Sequence, residues 1–246
     1  MTSTPVCCAA PRPAGGLLDL ALATRRGLTP AQFWDHTITL SEDATVRLLP
    51  GLADPAQHPA LTPAWPLLIR MLHALDSAGP INTARSTAAA GWDVLADCGR
   101  LSPTTPMGLL GAADLILLVL RPRLAHVAHT RSRLSALRSQ IAEHSDGPLP
   151  ELKLLVGTSP YPAAEVATAL ALPVAGVLAD DPPAAAVLAG LAGHRSRFER
   201  SPLIRTAPRL AADLHHAVHA DPQSTADDQD PSEGDIAAEP VLAEQP

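Results

Sequence analysis

The sequence predicts an α/β fold: a mostly parallel β-sheet with helices on both faces. Three observations carry that expectation. Short apolar runs alternate with stretches of helical periodicity along most of the chain, the pattern of a parallel sheet joined by crossover helices. Thr-Pro and Ser-Pro pairs at Thr29-Pro30, Thr62-Pro63 and Ser201-Pro202 punctuate it, a cap followed by Pro at the first helical position. The 246 residues, 46% of them hydrophobic, suit one α/β domain with a sizeable core. Aromatic residues make up only 2%, so Leu, Val and Ala must fill that core.

The first strand candidate is Pro5–Ala10. It leads through Gly15-Gly16 into an amphipathic stretch, Leu17–Arg25, that stops at Gly27. Thr29-Pro30 opens a short helix through Phe33 and Trp34, and Val46–Gly51 is a second strand candidate. After a proline-rich loop, Thr62-Pro63 starts a helix carrying Leu67, Leu68, Met71, Leu72 and Leu75 at helical spacing. Further strands are expected at Asp93–Asp97, Asp114–Leu120, Lys153–Gly157 and Val174–Leu178. A long helix, Leu124–Glu143, lies between the second and third of these, with Val127, Leu134, Leu137 and Ile141 on one side. Pro183–Leu191 reads as a short helix. Ser201-Pro202 begins a final one with Leu203, Leu210, Leu214 and Val218 on one side, interrupted or kinked at Pro208. The periodicity ends at Asp221. The domain is thus residues 1–220, and 221–246 reads as a disordered acidic tail.

Charge follows the same division. The net charge of −7 is concentrated in that tail, which holds eight acids and no Lys or Arg; the remainder has 17 acids against 18 bases. Bulk charge therefore neither implies nor excludes a nucleic-acid partner. The first residues lack the basic and apolar regions of a secretory signal. The most apolar run, Leu115–Leu120, falls far below the ~20 residues of a membrane span. Cys7, Cys8 and Cys98 fit neither a disulfide framework nor a zinc spacing. These features make a cytoplasmic location the default expectation.

The segment Gly91-Trp-Asp-Val-Leu-Ala-Asp-Cys-Gly-Arg100 holds the most suggestive motif. An apolar run ending in Asp and followed by a small residue, Gly and Arg resembles the Walker B region of the MinD/ParA family of P-loop NTPases. Three more segments agree in order: Ala113–Pro122, Leu154–Tyr161 and Leu172–Pro182. The resemblance spans about residues 5–218. It implies a P-loop NTPase-like, Rossmann-like three-layer fold and a vestigial nucleotide and Mg²⁺ site at Asp97, Gly99 and Arg100. Thr158 and Ser159 would lie in the loop that faces the nucleotide base.

The departures shape the functional expectation. Every phosphate-binding loop of this class needs a lysine, and the chain has a single one, Lys153, within a strand candidate. Upstream of Cys7 there is no room for the missing strand, loop and helix, which take about 30 residues. Arg12 stands where the family's switch region carries an acid. The fold is expected to lack the P-loop strand, so the strands at 93–97 and 115–120 need new neighbours; direct pairing with each other is the first solution, a strand donated by another chain the second. No catalytic residue, metal ligand or cofactor is assigned. The expectation is a non-catalytic MinD/ParA-like interaction or regulatory module of the bacterial cytoplasm, with a protein partner or a second copy of itself. The alternative is an ATPase using ATP and Mg²⁺ whose P-loop lies upstream of Met1.

Two other groups bear on partners. Arg121, Arg123, Arg131, Arg133 and Arg138 give the long helix a basic face that could meet nucleic-acid backbone, although a solvated face is the commoner outcome. His215, His216 and His219 include an i,i+4 pair, but the spacing supplies no third ligand for zinc.

Overall fold

The computed structural model describes residues 15–40, 45–77, 91–191 and 198–219. The strand expected at 5–10, Cys7, Cys8, Arg12 and the acidic tail lie outside those residues. Within them the chain builds a helical subcluster followed by a parallel sheet between helices.

The first helix, α1 (Leu17–Thr24), buries Leu20 and Ala21 and stops just before Gly27, whose φ of +83° suits glycine. Helix α2 (Pro30–Phe33) begins where the Thr-Pro pair predicts. The Thr29 hydroxyl accepts from the Gln32 amide at 3.3 Å, and Gln32 Oε1 accepts from the Thr29 amide at 3.0 Å, a reciprocal capping box. Two short strands, β1 (Ile38–Thr39) and β2 (Arg47–Leu48), then pair antiparallel.

The strand expected at Val46–Gly51 is thus reduced to two residues and belongs to a ribbon outside the main sheet. The cause is local. Pro50 has no N–H for a ladder, and its carbonyl accepts from the Leu17 amide at 2.8 Å, which turns the chain toward α1. Helix α3 (Trp65–Ser77) follows two 3-10 turns, so Thr62-Pro63 opens a turn and the α-helix starts at Trp65. Leu20, Ala21, Phe33, Leu61, Ala64, Leu68 and Leu75 bury one core here, with Trp34, Trp65 and Trp92 packed against it.

The second core belongs to the sheet. Strands β3 (Leu115–Leu120), β4 (Glu151–Gly157) and β5 (Val174–Leu178) run parallel in the order β3-β4-β5. Helix α4 (Met107–Gly111) precedes β3. The crossovers are α5 (Leu124–Glu143) and α6 (Ala163–Leu170). Leu120, Leu154 and Val156 on one face of the sheet meet Leu134 of α5 and Val166 and Leu170 of α6.

After β5 come α7 (Pro182–Leu188) and α8 (Pro202–His219). A register shift between Leu154 and Leu155 sets Gly176 beside Leu155, on the face opposite Leu154 and Val156, because neighbours in a pleat alternate. There Gly176 lies against Leu210 of α8. Helices therefore cover both faces, as the sequence predicts. Helix α8 runs unbroken through Pro208, although that proline can give no bond to the Ile204 carbonyl.

Among the described residues the strand expected at Asp93–Asp97 does not form: the segment has no sheet partner there, and Leu95 is 93% exposed. Direct pairing of this segment with Leu115–Leu120 does not occur, and among the described residues β4 is the only sheet neighbour of β3. The start of the segment is held elsewhere. The Trp92 amide donates to the Leu75 carbonyl at 3.1 Å, and its ring lies 4.7 Å from that of Trp34. These contacts hold the partly buried indole on the helical core.

Candidate functional site

In parallel α/β sheets, ligands gather at the carboxyl ends of the strands, where the loops converge. Here that edge carries Arg121 after β3, Thr158 and Ser159 after β4, and Asp180 and Asp181 after β5. Gly157 at the end of β4 lies beside Arg121: a Cβ on it would stand 3.8 Å from Arg121 Cγ, an ordinary van der Waals contact. Arg121 Nη2 and Asp180 Oδ1 pair at 3.4 Å across the edge, both largely exposed. Such a pair contributes little net stability; it does supply one cation and one anion at the sheet's mouth.

The expected base-loop residues are engaged in shaping their own loop. The Thr158 amide donates to the Leu178 carbonyl at 3.0 Å and its hydroxyl to the same oxygen at 3.3 Å. Ser159 Oγ accepts from the Tyr161 amide at 2.9 Å and donates to the Tyr161 carbonyl at 3.3 Å. Asp181 caps α7 through Oδ1, which accepts from the Ala184 amide at 3.1 Å, while its buried Oδ2 has no partner among the described residues.

Asp97, Gly99 and Arg100 form a local turn of their own. Asp97 Oδ1 accepts from the Gly99 amide at 2.8 Å, an Asx turn that carries Gly99 into positive φ at +61°. All three residues are exposed. Among the described residues, no hydrogen bond or ion pair joins Asp97 or Arg100 to Thr158, Ser159 or Arg121. Cys98 between them is half-buried, and that burial, with the neighbouring Asp97 charge, pushes its thiol pKa up. The thiolate required for nucleophilic or redox chemistry is thereby disfavoured.

The single lysine lies within β4 and not on a loop. Lys153 Nζ meets Glu151 Oε2 at 2.9 Å, two residues back on the same face of the strand. The arginines expected to form a basic face, from Arg121 through α5, are only partly free. Arg121 is paired as described, and Arg138 Nη2 donates to the Ala171 carbonyl at 3.0 Å, capping the end of α6.

A third polar cluster escapes sequence reasoning. His215 Nδ1 lies 3.3 Å from Asp93 Oδ2, and His219 Nε2 lies 3.0 Å from Asp93 Oδ1. The histidine pair is visible as an i,i+4 spacing on α8. Its carboxylate partner is 122 residues away from His215 in the chain, and no local pattern points to it.

Comparison with known proteins gives a fold and nothing finer. No protein-family model matches the chain, and no curated protein matches it either. Among solved structures it is similar to a ParA family ATPase from Chlorobium tepidum TLS, at 16% identity and a TM-score of 0.56, covering 84% of this chain and 77% of that one. The chain therefore has a ParA-like α/β fold. The resemblance carried by Gly91–Arg100 and the three later segments is supported at that level.

Proposed function

We propose that this chain is a non-catalytic ParA-like protein that acts through surface contacts, as an interaction or regulatory module. The single observation that carries the reading is the position of Lys153. A nucleoside triphosphate site of this fold relies on a lysine ammonium at the β- and γ-phosphates. The only lysine here is built into β4 and paired with Glu151 at 2.9 Å. The Asx turn of Asp97 agrees with this, because its Oδ1 already serves the Gly99 amide at 2.8 Å. Exposed apolar side chains along the same segment, Val94 at 47% and Leu95 at 93%, offer a surface for a protein partner.

The test is equilibrium binding of ATP with Mg²⁺ to the purified chain by calorimetry. The expected result is no saturable binding at micromolar ATP. Saturable binding there would overturn the reading and favour a nucleotide-binding ATPase instead.

A further inference from the structure

We propose that Asp93, His215 and His219 form a binding site for a divalent first-row transition cation of the zinc class. The site joins the C-terminal end of α8 to the segment before Asp97. It is independent of the nucleotide-binding question, because none of its three residues lies at the carboxyl edge of the sheet.

The geometry suits such an ion. Tetrahedral zinc with bonds of about 2.0–2.1 Å holds its ligand atoms about 3.3–3.5 Å apart. Asp93 Oδ2 is 3.3 Å from His215 Nδ1 and Oδ1 is 3.0 Å from His219 Nε2. One nitrogen from each imidazole and a carboxylate oxygen all lie within 4.8 Å of one another. Closing the set on an ion requires these exposed side chains to rotate inward from that spread. The helical i,i+4 spacing places both imidazoles on one face, with ring centroids 4.3 Å apart.

The two halves are held in place before any ion arrives. Helix α8 is fixed to β5 by Leu210 on Gly176. Asp93 follows Trp92, whose amide is bonded to the Leu75 carbonyl at 3.1 Å and whose ring packs on Trp34. Pre-positioned ligands lose little entropy on binding. Two imidazole nitrogens and one carboxylate oxygen form a borderline donor set, which selects zinc, cobalt or nickel over magnesium and calcium. Exposure of all three residues leaves an open path and room for water as the fourth ligand. In the ion-free state the same atoms are joined by hydrogen bonds, so the carboxylate and imidazoles stay together until the ion replaces the shared protons.

The experiment uses the full chain after dialysis against chelator. Zinc is titrated in competition with a chromophoric indicator, and cobalt is followed by its visible absorption, whose intensity reports tetrahedral coordination. One equivalent is expected to bind, with a tetrahedral cobalt spectrum. Asp93→Asn and His219→Ala should each weaken binding by more than about 10-fold, the scale set by loss of even an outer-shell partner. His216→Ala should leave it unchanged. Far-UV circular dichroism confirms that each variant is folded, and His215→Gln replaces His219→Ala should that variant unfold. Absence of one-equivalent binding, or binding that survives in Asp93→Asn and His219→Ala, overturns the proposal.

Discussion

Gly111 is pressed against the backbone of His144: a Cβ on Gly111 would stand 2.5 Å from the His144 carbonyl oxygen and 2.7 Å from its carbon. The contact joins the end of α4 to the end of α5. Because both neighbouring atoms belong to the main chain, Gly111→Ala can be accommodated only by moving a helix. The expected loss is about 1–3 kcal/mol, the usual cost of overpacking, measured by urea unfolding. Gly176→Ala provides the contrast. Its obstacle is the far end of the Leu210 side chain, which can change rotamer, so its cost should be the smaller of the two.

Thr29→Ala should destabilise the helical subcluster. It removes the acceptor for the Gln32 amide and leaves the Gln32 side chain with only half of the capping box. Loss of a Thr cap costs about 0.5–2 kcal/mol. Thr29→Ser, which keeps the hydroxyl, should recover most of that difference in the same denaturant series.

These two sites mark what a sequence can and cannot disclose about this fold. The Thr29-Pro30 cap, the Ser201 start of α8, the long helix from Leu124 and the strands at 115–120, 153–157 and 174–178 are legible because their signals are local. Capping needs a hydroxyl beside its own helix, and a covered strand needs a short apolar run. The strand expected at Asp93–Asp97 has an equally good run, yet pairing depends on where Trp92 is buried, and that is settled by Trp34 and Leu75. Asp93 beside His215 and His219 is illegible for the same reason: the three meet only through the placement of α8 on β5. The close approach at Gly111 likewise has no trace in its neighbours.

Asp93 should give the protein a distinct acid limb. The hydrogen bond from His219, with further help from the charges of His215 and His219, holds the Asp93 carboxyl below its usual range despite some opposing desolvation. A carboxylate whose pKa is depressed by folding binds protons more readily in the unfolded chain, so it stabilises the fold above its unfolded pKa of about 3.9. That contribution falls away as pH drops through the lower folded value. In ion-free buffer, the difference in melting temperature between the parent and Asp93→Asn should shrink as pH falls below about 4. A difference that does not change across that window would mean the histidine contacts do not perturb Asp93. The effect will be modest, because Asp93 and both histidines are largely exposed and solvent screens them.

Asp97 separates a structural role from a vestigial metal role. Its Oδ1 accepts from the Gly99 amide at 2.8 Å, and that bond needs an acceptor but no charge. Asn retains the acceptor and readily forms the same turn. Asp97→Asn should therefore lie within about 0.5 kcal/mol of the parent, with the Gly99 amide equally protected in hydrogen exchange. Asp97→Ala should lose that protection and up to about 1 kcal/mol, the net worth of one hydrogen bond at a solvated site. A residue that worked by holding Mg²⁺ or its water would give a different pattern, because removing the charge alone in Asp97→Asn would abolish Mg²⁺-dependent nucleotide binding. The proposed non-catalytic reading requires Asp97→Asn and the parent to behave alike in the ATP titration, with neither binding saturably.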